Sequence, residues 1–324
     1  MRIGTVEVIS GEKASGVLKV NGCGYELPVT VISGEEGETV LITAGIHSAE
    51  YVGIQAAIEL AGEILPEQVK GTIVFAPLIN VSGFVRRTMS MVYEDNKNLN
   101  REFPGAAGGT TADQICHTVS EKLIARADYY IDLHSGDGYE ELFPYAYYVG
   151  PADPQVREKS FQMARRVNAR CLVESSCTTG GAYNYASASG IPSVLIERGG
   201  MGVWSRQEVD LDKADVLRIL TYLGFLKDRT EEAEPEEKLL FREVVYEQAP
   251  VAGCWYPFLH PGDSFRKGEA LGQIRDYFGR TIHTCRARKD GMMLYQTASL
   301  TILENGPMVA YGVFPEKEKN FKTP

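Results

Sequence analysis

The 324-residue sequence predicts an α/β fold followed by a small all-β domain, and three observations carry that expectation. From Glu38 onward, short β-branched and apolar runs alternate with segments of helical periodicity, the pattern of a sheet covered by helices. A Pro-bearing acidic stretch, 228–238, has almost nothing to bury and reads as a linker and domain boundary. Beyond it, Pro261-Gly262-Asp263, Lys267-Gly268-Glu269, Phe278-Gly279-Arg280 and Asp290-Gly291 supply closely spaced turn signals between short strand-like runs.

In chain order, Gly16–Val20 and Tyr25–Val29 alternate like strands, and Asn21-Gly22 between them is a hairpin signal. Val40–Ala44 has the length and β-branched content of a buried strand. Ile54, Ala57, Ile58, Leu60, Ala61 and Ile64 recur at the spacing of a helix's inner face. Gly71–Pro77 is a second buried strand. The polar segment 80–109 is loop-like, and loops of that length in compact domains are usually functional. A helix is expected over Thr111–Arg126, then the strand Tyr129–Leu133 running into His134. A helix around Arg157–Ala169 and a small-residue stretch, Thr178–Tyr183, precede the strand Pro192–Ile196, which ends at Glu197. Glu316–Pro324 is a charged tail without periodicity. The expected division is a β-hairpin segment (1–33), an α/β domain (34–227), the linker (228–238) and a β domain (239–324).

Composition narrows the function. The apolar fraction of 44% and charged fraction of 23% are those of a soluble globular protein. A formal charge of -10 argues against a nucleic-acid partner. No apolar run is long enough to span a bilayer, and Met1–Glu7 alternates like a strand rather than forming a signal peptide's apolar core. The six cysteines are scattered without a Cys-x-x-Cys pair, which suggests reduced thiols in a cytoplasmic protein.

The chemistry-bearing residues gather at predicted strand ends. His47 and Glu50 follow Val40–Ala44 across Gly45, at the end of a strand where α/β folds place their sites. An imidazole and a carboxylate three residues apart on a helical turn can converge on one ion, and zinc accepts that mixture of ligands. A lone His-x-x-Glu is a weak signal, since an ordinary exposed helix start produces it too. Two further strands ending at His134 and Glu197 make chance a poorer account.

His47-x-x-Glu50, Asn100-Arg101, Asp132-Leu133-His134-Ser135 and Glu197-Arg198, in that order, resemble the zinc carboxypeptidase superfamily. Asn98-Leu99-Asn100-Arg101-Glu102-Phe103-Pro104-Gly105 is similar to its succinylglutamate desuccinylase/aspartoacylase branch. The resemblance implies a zinc-carboxypeptidase-like mixed sheet flanked by helices, with a barrel-sandwich-like C-terminal domain that covers or narrows the active-site mouth. It implies one zinc ion per chain on His47, Glu50 and His134, with Glu197 as general base. Asn100 and Arg101 would hold the substrate carboxylate, for which a planar guanidinium offers two parallel hydrogen bonds. An arginine upstream of Asn-Arg would support the oxyanion; Arg86 and Arg87 are both present, and Arg87 is the choice here. Asn98 stands where many relatives carry an aspartate that buttresses a zinc-bound histidine, and an amide raises ligand basicity less than a carboxylate.

Other residues are given structural roles. Tyr183 and Tyr185 are as well explained by packing as by substrate contact, and His117 sits within a helical pattern. His260 and His283 lack a third ligand nearby in sequence. Lys289 lies near the place of a modified lysine in carrier domains, but Arg288 and Asp290 match no carrier signature. The expected activity is therefore hydrolytic removal of an acyl group from a small N-acyl amino acid or related amide. The rivals are a carboxypeptidase acting on short peptides and a non-catalytic zinc-binding protein. An intact Glu197 counts against the second, because a pure binder needs no base. Homo-oligomer formation is left open by the sequence.

Overall fold

The architecture comes from a computed structural model that describes residues 1–230 and 235–315, so part of the expected linker and the charged tail lie outside the described residues. A nine-stranded mixed sheet organises the chain. Its strands are β1 (Glu12–Lys19), β2 (Glu26–Ser33), β3 (Glu35–Ala44), β4 (Lys70–Ala76), β5 (Tyr129–His134), β6 (Tyr145–Val149), β7 (Cys171–Ser175), β8 (Ser193–Glu197) and β9 (Leu239–Phe241). Their spatial order is β9-β7-β6-β8-β5-β3-β4-β2-β1. The four central strands β8, β5, β3 and β4 run parallel, while β6 and β2 pair antiparallel to either side of them. Val40–Ala44 is buried at every position. A central parallel strand is covered on both faces, which is why it reads as a continuous apolar run rather than an alternation.

Helices cover both faces. Ile54, Ala57 and Leu60 of α1 (Tyr51–Glu63) share one core with Met163 and Ala164 of the helix Pro154–Arg165 and with Val216, Ile219 and Leu220 of the helix Arg206–Tyr222. On the other face, Ile115, Cys116 and Val119 of the helix Thr111–Lys122 pack with Ala182 and Ala186 of the helix Ala182–Ala188. The inner face of α1 is as expected except at Ile58, which is 49% exposed. The helix Arg206–Tyr222 was not anticipated. Its buried stripe includes Asp212 and Asp215, two charges that break the apolar pattern by which a helix is recognised.

The expected boundaries shift at both ends. The N-terminal hairpin is not a separate unit, because β2 pairs with β4 and extends the main sheet. Leu27, Val29 and Val31 of β2 are buried, and an isolated two-stranded hairpin would leave them wet. At the other end, β9 pairs with β7, so 239–241 belongs to the main sheet and not to the β domain. The remaining C-terminal strands form two sheets, one led by Val244–Gln248, Pro307–Val313 and Gly291–Thr297, the other by Thr281–Arg286, Ala270–Arg275 and Gly253–Pro257. Trp255, Phe265, Leu271, Ile274, Met293 and Tyr311 fill the core of this all-β region. A further cluster of Tyr145, Cys171, Val173, Phe241, Met292 and Leu294 joins it to the main sheet. The short strand Glu140–Leu142 crosses over to pair with Tyr295–Thr297. No helix among the described residues is long and apolar enough to cross a membrane.

Candidate active site

Parallel pairing brings three strand ends to one edge. Ala44 of β3 is in register with Leu133 of β5, and His134 of β5 with Glu197 of β8. After Ala44 the chain turns at Gly45, whose φ of 65° falls in the left-handed region. A Cβ there would also meet Leu78 at 2.9 Å and Ile54 at 3.1 Å, so glycine alone fits. The turn delivers Glu50 to the N-cap of α1, but its carboxylate makes no capping hydrogen bond. It is buried, and it reaches His47 Nδ1 at 2.7 Å and His134 Nδ1 at 2.8 Å. The two imidazoles meet edge-on, with ring centroids 5.0 Å apart at 85°.

The outer nitrogen of each ring is held separately. His47 Nε2 lies 3.0 Å from Asn98 Oδ1, which also accepts the Asn100 backbone N–H at 2.8 Å. That second bond identifies the Asn98 atom as the oxygen, so His47 Nε2 donates to it. His134 Nε2 faces Asp132 Oδ2 at 3.3 Å. Asp132 Oδ1 accepts from Thr43 Oγ1 at 2.7 Å, and Thr43 in turn contacts the Tyr130 hydroxyl at 2.6 Å. Thr43 and Asp132 are register partners on β3 and β5, so this buried chain is built by the pairing itself. Sequence reasoning gave Asp132 no role. The signal was available: Asp132 and His134 are two apart on one strand and therefore share a face.

This donor set fits a zinc ion. One ligand atom from each of His47, Glu50 and His134 lies within 4.8 Å of the others, and no other such group of His, Cys, Asp or Glu occurs among the described residues. Glu50 Oε2 is buried without a hydrogen bond, although His134 Nδ1 is close, so the two atoms are not aligned to satisfy one another. An ion between them would satisfy both, and an oriented imidazole backed by a carbonyl or carboxylate is the usual surrounding of a metal-bound histidine. The electrostatics agree. Burial pushes the Glu50 carboxyl up, but the His134 and His47 rings outweigh it and hold it at about 2. Burial lowers His134, yet the Glu50 and Asp132 carboxylates more than reverse this and raise it well above the ordinary histidine value.

A cavity of about 320 Å³ opens onto this group. Glu197, Asn100 and Arg101 all line it. Burial and the nearby Glu50 charge push Glu197 well above the usual carboxylate range. Asn100 Oδ1 accepts the Ala182 N–H at 3.1 Å, which leaves its amide nitrogen as the donor for the cavity. One Arg101 nitrogen bonds the Asn100 carbonyl at 2.8 Å, and the guanidinium has no carboxylate partner among the described residues. Tyr183 lines the cavity, whereas Tyr185 packs against the core. Tyr246 and Tyr295 enter the cavity wall from the C-terminal strands, in line with the covering role that the resemblance implied, although no motif named the two tyrosines. Asp137 and Glu140 complete the acidic part of the wall; burial, with Asp137 and Glu50 adding, pushes Glu140 up to about 7.

Arg87 is not brought to this site. It terminates the helix Val81–Arg86 with a left-handed φ of 59°, is exposed, and does not line the cavity. Thr88 N bonds back to Gly83 O at 3.0 Å, which places Arg87 at the outer corner of the turn, while Ser90 reaches the cavity wall. Arg86 stacks over Tyr93 instead. His117, His260 and His283 lie away from the cavity, and Lys289 is ion-paired with Glu243 at 2.7 Å.

A mixed α/β sheet flanked by helices, with a His-Glu-His group at its carboxyl strand ends and an all-β region at the mouth, defines the class. Within that class, residues 36–223 match the succinylglutamate desuccinylase/aspartoacylase catalytic domain, and the chain belongs to that family. It is 25% identical over 282 residues to the Nα-acetyl-L-2,4-diaminobutyric acid deacetylase of Halomonas elongata, covering 82% of this chain and 80% of the relative. The product-bound ectoine utilization protein EutE (DoeB) of Ruegeria pomeroyi superposes with a TM-score of 0.86 at 25% identity, over 95% of this chain and 98% of that one. A succinylglutamate desuccinylase/aspartoacylase structure from Rhodobacter sphaeroides shares the fold, with a TM-score of 0.85 at 24% identity over 98% and 100% of the two chains. The activities named for these relatives, deacetylation and desuccinylation, both remove an acyl group.

Proposed function

We propose that this chain is a zinc-dependent hydrolase that removes an acyl group from a small N-acyl amino acid. The observation that carries the proposal is the alignment of Glu197 with His134 on adjacent parallel strands, which sets a carboxylate beside the proposed metal group in one cavity. His47, Glu50 and His134 would hold one zinc ion per chain, leaving a position for substrate or water. When bound, zinc supplies polarisation of the acyl carbonyl and acidifies water. Glu197 takes a proton from the attacking water as its oxygen bonds to the acyl carbon. The C–N bond then breaks, and Glu197 returns the proton to the departing amine. Arg101 and the Asn100 amide nitrogen anchor the substrate carboxylate. Arg87 takes no part.

The cavity of about 320 Å³, with Tyr246 and Tyr295 in its wall, is of a size to take an N-acyl amino acid. The Halomonas elongata relative, named for an N-acetylated diamino acid, points to the same substrate scale. The six free cysteines suit the reducing cytoplasm. The test is a turnover screen of N-acetyl, N-succinyl and N-formyl amino acids with zinc-loaded protein. Release of free amino acid from at least one group is expected; zinc binding without any turnover would leave only the binding-protein alternative.

A further inference from the structure

Glu197-Arg198 stands out in the sequence as a pair, and the mechanism above uses only the first of the two. Along their strand, successive side chains face opposite ways. Leu195 and Glu197 line the cavity, whereas Val194 and Ile196 enter the core shared with the helix Arg206–Tyr222. Arg198 continues the second face and is buried, at 3% exposure. Its Nε and Nη2 donate to Asp215 Oδ2 of that helix at 3.1 and 2.6 Å, and Nη2 also donates to the Asn168 carbonyl at 2.9 Å. Asp215 is held in turn: its Oδ1 accepts the Asn168 N–H at 2.6 Å and an Arg218 nitrogen at 2.7 Å. One guanidinium thus ties the end of a sheet strand to a helix and to the turn that follows the helix Pro154–Arg165.

Stability alone is a poor account of this arrangement. A buried ion pair regains in attraction roughly what it loses in hydration, and apolar side chains of similar volume often serve a core as well. The place of the pair is more telling. Arg198 N donates to the His134 carbonyl at 3.1 Å, the bond that closes the ladder between the two strands. Beyond it the backbone passes through Gly199, Met201 and Gly202, all left-handed, with φ of 79°, 58° and 58°. Glycine-rich backbone brings little stiffness of its own. The next bonds, Gly136 N to Gly199 O at 3.1 Å and Met201 N to Glu140 O at 2.7 Å, reach the turn after His134 and not the helix layer. The Glu197 side chain forms no hydrogen bond or ion pair among the described residues, so its direction depends on the backbone that carries it.

We infer that Arg198, held by Asp215, is a positioning residue that keeps the Glu197 carboxylate aimed at the attacking water. This role rests on the deacylase proposal and adds the device that holds its base. The test uses Arg198→Met/Asp215→Asn, which removes both charges together so that neither is left buried without its partner. Arg198→Lys, a milder change, carries the same comparison should the double variant not fold. Each is made in the Glu197 background and in Glu197→Gln. With Glu197 present, the double variant should lose at least ~10-fold in kcat while KM stays within about twofold, the scale of a displaced reacting group, and Arg198→Lys should lose less. In Glu197→Gln the same changes should alter the residual kcat by less than about twofold, since no base is left to misplace. An equal loss in both backgrounds, or wild-type kcat in the double variant, overturns the inference. If the wild type releases no amino acid from any substrate, the deacylase proposal is what fails, and hydrogen exchange then judges Arg198 without turnover. Amides of 194–202 should exchange at least ~10-fold faster in the double variant, while those of 129–133 keep their protection. Unchanged exchange over 194–202 overturns the clamp.

Discussion

Glu197 and His134 are register partners on adjacent parallel strands, each the last residue of its strand. Parallel neighbours in register present their side chains to the same face, so this one pairing sets a carboxylate beside a buried imidazole without help from any loop. Sites carried on strands are held more tightly than sites on loops. The same sheet fixes Asp132 behind His134, two residues earlier on the strand.

The proposed metal group gives the first prediction. Wild-type protein should bind one zinc per chain, and His134→Ala should lose it in elemental analysis of dialysed protein while keeping its far-ultraviolet circular dichroism. Full zinc in that variant would remove His134 from the ligand set.

The residues behind the ligands give the second. Asp132→Asn keeps size but not charge, and should weaken zinc binding roughly 10–100-fold in a competition titration against a chelator. Asn98→Asp should change affinity in the opposite direction, since a carboxylate facing His47 Nε2 makes the ring a better donor. Unchanged affinity in both would mean that the two contacts only support packing.

Arg101 is exposed apart from its bond to the Asn100 carbonyl, so its alanine variant should fold normally. Arg101→Ala should cost roughly 2–4 kcal/mol in kcat/KM on a carboxylate substrate, the scale for a truncated charge-assisted contact. On the corresponding carboxamide the difference between variant and wild type should largely vanish. An equal penalty on acid and amide would count against a carboxylate anchor.

Away from the site, Asp212 makes a prediction about stability. It is fully buried, and neither carboxylate oxygen has a hydrogen-bond partner among the described residues. Burial pushes its carboxyl up to about 8, with Asp215 adding and Arg198 only partly opposing. The native protein therefore holds this proton more tightly than the unfolded chain does. Between the ordinary aspartate value near ~4 and about 8, unfolding releases a proton, so raising the pH erodes stability. Asp212→Asn stays neutral throughout. In urea unfolding from pH 5 to 7, the variant's stability relative to wild type should grow by ~1 kcal/mol per pH unit. A pH-independent difference would show that Asp212 is ionised in the folded protein.

The metal group was legible in the sequence because it depends on strand ends, and strands such as Val40–Ala44 and Tyr129–His134 are announced by continuous apolar runs. Asn100 and Arg101 were legible by resemblance alone; nothing in their spacing says that a turn will carry them to the same cavity. Arg87 stays outside the cavity lining because it closes the short helix Val81–Arg86 in a left-handed conformation, in a segment whose spacing departs from the family pattern. Tyr246 and Tyr295 were out of reach for a different reason. They lie more than a hundred residues beyond His134 in sequence, and only the pairing of Glu140–Leu142 with Tyr295–Thr297 joins the two regions. The helix Arg206–Tyr222 was hidden by Asp212 and Asp215, buried charges on a face that periodicity expects to be apolar.

The last prediction separates binding from chemistry at Glu197. Its carboxyl has no side-chain hydrogen bond among the described residues that a variant would break, so Glu197→Gln should fold, and zinc and substrate should both still bind. Glutamine matches glutamate in shape but cannot take a proton, and turnover should fall by at least ~100-fold, the lower end for a positioned general base. The pH profile of wild type is a weaker test, because Glu197 and a water activated by the metal would titrate as a coupled pair whose apparent values belong to neither alone. Zinc content and substrate affinity measured on the same preparation make the comparison clean. If the variant keeps its zinc, binds substrate and turns it over at close to the wild-type rate, Glu197 is not the base, and the hydrolytic mechanism built on its pairing with His134 fails with it.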